Sequence, residues 1–271
     1  MIPAVRPADA LWKQGAGYYN DDLAELKRRP LLPDLDRVRD RRIFELFQRH
    51  ANLQVGSRVL EIGCGRSRWL PLLGMRLGCD VSGIDIEPFA SELARANLAG
   101  AGVAGKVFCR DGFRLQDNAD LIERYDLVYS MGVLEHFDDV VDRVRLLSRY
   151  LRPGGRLLTT VPNMRGINWV LQRLGSREIL EMHVVYDRKR LRRVHEAAGL
   201  TTLAHGYAGY FDGYLSSAGA TPRGARIRAH GLLCRAASLT SELCLRAGRG
   251  ALTFELPWCS PHVYCIGERA R

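Results

Sequence analysis

The chain has 271 residues, 46% of them hydrophobic and 26% charged, an ordinary balance for one elaborated globular domain around a single core. That balance argues against a disordered tail, a collagen-like fibre and a membrane-embedded protein, because apolar runs such as Val55–Ile62 fall far short of the roughly 20 residues a bilayer crossing needs. The formal net charge is +10, yet residues 51–160 hold 14 basic and 14 acidic side chains, so most of the excess lies in residues 161–271.

In chain order, residues 1–50 carry aromatic and proline-bearing segments and then a helical pattern over 35–50, an N-terminal segment distinct from the domain expected over 51–271. Trp12, Tyr18 and Tyr19 read equally as a lid or as anchors holding this segment to the body. Arg58–Gly63 is a short buried-strand pattern, Ser67–Leu77 a helix, Cys79–Asp85 a second strand, and a helix starts at Pro88 and fades before Gly100. Lys106–Asp111 and Tyr125–Ser130 are further strands, and an amphipathic helix follows over about 138–151. Pro153-Gly154-Gly155 is expected to stop that helix before a fifth strand, Arg156–Val161. Strands separated by helix-length crossovers imply an α/β fold with a Rossmann-like, doubly wound, mostly parallel sheet. A helix over 187–198 and strands near 200–205 and 262–267 complete the pattern. Between those last strands lies a helical insert, residues 206–257, with six Arg against Asp212, Glu242 and Glu255. Loops of that length in α/β domains usually act as lids or binding surfaces.

Seven cysteines form an odd set with no CxxC pair, which reads as free, mostly buried thiols; no metal site is assigned. Residues 1–30 lack a charged start followed by an apolar block, so no secretory leader is expected, and the cytoplasm is the default compartment.

Glu61-Ile62-Gly63-Cys64-Gly65 closes the first strand and opens the first helix. Glycines there let the main chain turn sharply beside a ligand, and a helix N-terminus favours a negative group. Asp85, at the end of the second strand, stands where an acidic side chain meets ribose hydroxyls in nucleotide-binding βαβ units. The dinucleotide fingerprint requires a third glycine at position 68, where this chain has Arg68, so NAD is disfavoured.

Four segments in order, VLEIGCG (59–65), GIDIEP (83–88), YDLVYSMGVLEHF (125–137) and LRPGGRLL (151–158), together resemble the class I S-adenosylmethionine-dependent methyltransferases. The LEHF and LxPGG pieces resemble the branch that acts on small molecules and saccharides. The resemblance covers roughly residues 50–165 and implies S-adenosyl-L-methionine as cofactor. It places Glu61, Gly63 and Gly65 in the loop under the methionine part, with Cys64 contributing backbone. It gives Asp85 the ribose hydroxyls, Ile86 the adenine face, and Asp111, with Gly112 beside it, the adenine amino group. Ser130 and Met131 fall near the sulfonium. Many members carry a glycine where this chain has Ser67, a change expected to alter loop detail only.

Methyl transfer from a sulfonium is an in-line displacement in which alignment and water exclusion supply much of the acceleration. A hydroxyl acceptor must also lose a proton. His136, in Glu135-His136 after the fourth strand, and His183, after the fifth, are the two candidate bases; each reads alternatively as a structural histidine. Glu135 reads as a carboxylate fixing a loop or facing the cofactor. The other five histidines read as structural.

No Asn/Asp-Pro-Pro-aromatic motif and no Pro-Cys pair follows the fourth strand, which makes a nucleic-acid acceptor unlikely. The Arg-bearing insert points to an anionic acceptor, and the post-strand segment VPNMRGINWVLQRL with EMHVVYD resembles methyltransferases of bacterial surface-polysaccharide synthesis. The leading expectation is methyl transfer to a hydroxyl of a small molecule or saccharide. The alternatives are a natural-product N- or O-methyltransferase and a member that binds cofactor without turnover. Residues 226–249 form a basic amphipathic pattern that allows weak membrane-surface contact. Oligomeric state is not legible.

Overall fold

The computed structural model describes residues 22–175, 177–181, 183–209 and 255–271, with isolated positions 232, 235, 236 and 239. Among the described residues the helices are α1 (Leu23–Arg28), α2 (Val38–His50), α3 (Trp69–Leu77), α4 (Pro88–Gly100), α5 (Val140–Ser148), α6 (Gly166–Gly175), α7 (Arg177–Glu181) and α8 (Arg188–Ala197). The strands are β1 (Arg58–Ile62), β2 (Asp80–Asp85), β3 (Gly105–Cys109), β4 (Tyr125–Met131), β5 (Leu151–Pro162), β6 (Leu200–Ala208) and β7 (His262–Arg269). They join in one sheet of order β3-β2-β1-β4-β5-β7-β6. β1–β5 run parallel, and β7 lies antiparallel between β5 and β6. This is a Rossmann-like, mostly parallel sheet with helices on both faces. No helix among the described residues is long and apolar enough to cross a membrane.

The period-two alternation of the strands sorts the core into two layers. Val59, Leu127, Tyr129 and Leu158 pack with Phe47, Leu70 and Leu73 from α2 and α3 on one face. Leu60, Val128 and Leu157 pack with Val144, Leu147 and Leu191 from α5 and α8 on the other. Each fully buried Leu or Val contributes about 1.5–3 kcal/mol of transfer free energy, so the two layers together fix which edge of the sheet faces a ligand.

Local chemistry moves several boundaries from their sequence expectations. α3 begins at Trp69 rather than Ser67, because the Ser67 hydroxyl sits ahead of the helix and accepts from Leu70 N at 3.1 Å. α5 ends at Ser148, and Pro153-Gly154-Gly155 lies inside β5 rather than before it. Tyr125 pairs with Leu151 and Leu127 with Arg156, so this stretch bulges out of the ladder, with Gly154 at φ 76°. β6 runs on to Ala208, so the first three residues of the expected insert belong to the sheet. The rest of that insert up to residue 254, the basic stretch 226–249 and Trp12, Tyr18 and Tyr19 fall almost wholly outside the described residues. α1, α6 and α7 carried no expectation from periodicity.

Candidate active site

The C-terminal ends of β1, β2, β3 and β4 lie side by side, with Ile62 opposite Ser130 and Asp85 opposite Cys109. In open α/β sheets this edge receives ligands. The turn after β1 requires glycine at two places, Gly63 at φ 69° and Gly65 at φ 48°. A side chain at Gly63 would also strike Val133. Gly63 N and Cys64 N donate to Ile84 O at 2.9 and 3.1 Å, and Gly65 N donates to the Asp85 carboxylate at 2.7 Å. Asp85 also accepts from Glu87 N at 3.0 Å; burial outweighs these donors and holds its pKa above the ordinary carboxylate range. The Cys64 thiol is buried against Gly83, leaving only its backbone to the loop.

Glu61 points beneath the loop. It is buried and accepts from the Ser67 hydroxyl and from Tyr129 Oη at 2.9 Å, and burial pushes its carboxyl up to about 8. Ser67 therefore both props Glu61 and accepts from the first turn of α3. Tyr129 was missed because it reads in the sequence as one more buried strand aromatic.

Three features of this edge fit an adenosyl group carrying a methionine tail. Ile86, an apolar side chain at a strand end, stays 48% exposed, as a ring-packing residue would. The Ser130 hydroxyl is buried at the end of β4 with no hydrogen-bond partner among the described residues. Gly112 leaves its Cα against Ile62 and Ile84, where a side chain would crowd the strand ends. Asp111 lies beside it, one carboxylate oxygen accepting from Phe113 N at 2.8 Å. Met131 ends β4 half-buried.

The two candidate bases, 47 positions apart in sequence, meet. His136 lies in a single 3₁₀ turn (Leu134–His136), and His183 lies between α7 and α8. Their ring centroids are 4.8 Å apart, and each Nε2 is 4.0 Å from Glu135 Oε1. Val184 N donates to Glu135 O at 2.7 Å, which ties the His183 segment to the turn after β4. Glu135 is buried, and that burial pushes its carboxyl up to about 8; its Oε2 finds no hydrogen-bond partner among the described residues. The ligating atoms of the three side chains lie within 4.8 Å of one another, a donor set of the type that also suits a divalent cation.

Beside His183, Met164, Arg165, Gly166, Trp169 and Val185 line an open cleft of about 320 Å³. The Arg173 guanidinium stacks on the Trp169 ring at 5.1 Å. Of the aromatics Tyr207, Tyr210, Phe211 and Tyr214, whose spacing suits an acceptor pocket or core packing of the insert, Tyr207 is core: it is buried in β6. Tyr210, Phe211 and Tyr214 fall outside the described residues. His195 is structural as expected. It is buried against the Thr159 hydroxyl at 2.7 Å, and burial pushes it down to about 3, so it is neutral.

A glycine-turned strand end, an acid on the next strand and a mostly parallel sheet read from one edge define an open α/β fold of the nucleotide-binding kind. The chain matches the family described as a methyltransferase domain over residues 35–205, more than half its length, and it belongs to that family. Among curated relatives it is similar to the ubiquinone biosynthesis O-methyltransferase of Proteus mirabilis (strain HI4320), at 29% identity over 50% of this chain and 54% of the relative. The enzyme of the same name from Serratia proteamaculans (strain 568) is 27% identical over 61% of this chain and 68% of the relative. The chain thus spans about half the length of the first of these. Among solved structures, a putative methyltransferase from Bacillus halodurans C-125 superposes with TM-score 0.59 at 14% identity, covering 84% of this chain and 99% of that one.

Proposed function

We propose that the chain transfers the methyl group of S-adenosylmethionine to a hydroxyl of a small molecule, with Glu135, His136 and His183 handling the acceptor's proton. The observation that carries this reading is the convergence of both imidazoles on one buried carboxyl at the edge that also presents Asp85 and the glycine loop. The cofactor supplies an electrophilic methyl on a sulfonium. In this reading Asp85 binds the ribose, the backbone from Gly63 to Gly65 the methionine part, and Ile86, Asp111 and Gly112 the adenine, while Ser130 and Met131 flank the sulfonium.

A bound cofactor would give up its methyl with cleavage of the carbon–sulfur bond and release of S-adenosylhomocysteine, while the acceptor's proton would pass to an imidazole nitrogen of His136 or His183. An imidazolium 4.0 Å from Glu135 favours the ionised carboxyl, so the carboxyl would steady whichever ring takes the proton until it passes to solvent. The O-methyltransferase relatives support a hydroxyl acceptor. The Trp169 cleft supports one with a flat apolar or sugar face, and Arg165, which lines the cleft and pairs with Asp187 at 2.6 Å, together with Arg173 on the Trp169 ring, supports an anionic substituent. Saccharides of surface polymers fall in that class. Free Cys64, Cys79, Cys109, Cys259 and Cys265 support a reducing, cytoplasmic setting. The test is methyl transfer from labelled S-adenosylmethionine to phenols, sugar acids and nucleotide-linked sugars, with amines alongside. O-methyl products from the hydroxyl panel are expected, and products from the amines alone would overturn the reading.

A second reading rests on the Glu135, His136 and His183 donor set. A divalent cation held there would polarise the acceptor hydroxyl in place of a protein base. Activity lost on dialysis against a chelator and restored by one cation would favour it.

A further inference from the structure

The cofactor loop has an outer side that the chemistry above does not use. The carbonyls of Arg66 and Ser67, at the end of the loop, are both taken by one side chain, Asn97 of α4. Its Nδ2 lies 2.6 Å from Ser67 O and 3.3 Å from Arg66 O. The same amide holds the strap between α1 and α2: Asn97 Oδ1 accepts from Leu31 N at 2.6 Å, and Nδ2 donates to Leu31 O at 2.9 Å. Asn97 is fully buried, so none of these groups has water as an easy substitute.

A second tie lies in the first turn of α2. Asp40, also buried, accepts from Arg39 Nε at 2.8 Å and from the Arg68 guanidinium with one oxygen, and from Asp34 N at 2.9 Å with the other. Burial works to raise the Asp40 pKa, but Arg39, Arg68 and the Asp34 N–H together hold it below the ordinary value. Arg68, the residue standing in place of a third glycine, thus joins the end of the loop to the N-terminal segment.

We infer that Asn97 and the Asp40–Arg68 pair are positioning residues through which the strap 29–37 and the cofactor loop are ordered together, so that cofactor binding stiffens the strap and the strap in turn tightens the cofactor. The physical ground is that a loop built on two left-handed glycines has little stiffness of its own. Its shape is set from inside by Ile84, Asp85 and Glu61, and from outside by Asn97. Loosening either side frees the same few dihedrals. Coupling of this kind is reciprocal, so an effect of strap on cofactor requires an equal effect of cofactor on strap. The inference rests on the reading that the loop and Asp85 hold the cofactor.

The experiment pairs calorimetry of S-adenosylhomocysteine binding with amide hydrogen exchange of peptides spanning 29–37, on the full chain. In the wild-type protein, saturating S-adenosylhomocysteine is expected to slow exchange at Leu31 and Asp34 severalfold. Asn97→Ala is expected to raise the Kd about tenfold, the size expected from losing a buried hydrogen-bonded link, and to abolish that slowing. Asp40→Asn keeps the shape but weakens the pair with Arg68, and is expected to show both effects more weakly; it serves if Asn97→Ala fails to fold. A general loss of stability would speed exchange throughout the chain and leave the cofactor-dependent difference at the strap intact. Wild-type strap exchange indifferent to S-adenosylhomocysteine, while Asp85→Ala still weakens binding, would overturn the inference and leave the cofactor site standing. Binding unaffected by Asp85→Ala would instead overturn the site.

Discussion

Glu61 and Glu135 are both buried carboxylic acids at the same edge of the sheet, and burial pushes both to about 8. Their surroundings differ. Glu61 is supplied with two hydroxyl donors, Ser67 and Tyr129, and has no exposed approach. Glu135 keeps one oxygen without a partner among the described residues and has two imidazoles 4.0 Å away. A buried acid whose hydrogen bonds are met by fixed neighbours is a structural prop. One left beside titratable rings can trade a proton with whatever enters, and a proton acceptor is what a hydroxyl methyl acceptor requires. In the proposed reading the half of the site around Glu61 holds a shape and the half around Glu135 changes charge.

The largest effect should come from the reactive half. His183→Ala or His136→Ala should lower kcat by about 10²–10⁴-fold if that ring is the base, with the Kd for S-adenosylhomocysteine unchanged. Steady-state rates beside calorimetry check this. Both single variants within a few-fold of wild type would dissolve the contrast between the two acids. Asp85→Ala should weaken cofactor binding by about tenfold to a hundredfold, because charge-assisted hydrogen bonds are lost and Gly65 N loses its acceptor; calorimetry reads it directly. Trp169→Ala should raise the acceptor's KM several-fold and leave kcat and cofactor affinity nearly alone, which separates the cleft from the proton-handling trio.

The smallest effect sharpens the comparison from the side of stability. Both glutamates have folded pKa values above the ordinary 4.5, so between pH 4.5 and 8 the folded state holds protons that the unfolded chain has released. Their contribution is therefore fully present below about pH 4.5 and is lost as the pH rises toward 8. Glu61→Gln keeps a neutral group in place, so the melting temperature should fall less steeply than that of the wild type between pH 5 and 8. An unchanged slope would show that Glu61 is already ionised in the fold and is no neutral prop.

Periodicity determined the alternating strands and helices, and the resemblance of four short segments implied the cofactor and the residues expected at its edge, because those signals are local. A glycine turn closes within five residues, and a strand-end acid stands one βαβ unit away. The two candidate bases were also legible as residue types in the right loops. Their meeting was not, since it depends on a hydrogen bond from Val184 to Glu135 that only the folded chain brings into reach. The same holds for Asn97, which joins Leu31 to Ser67 across 66 and 30 positions, and for β7 entering antiparallel between β5 and β6. An Asn in an amphipathic helix or a Tyr in a strand carries no local mark of its partner. Its role follows from desolvation at a site that exists only once distant segments have packed around it.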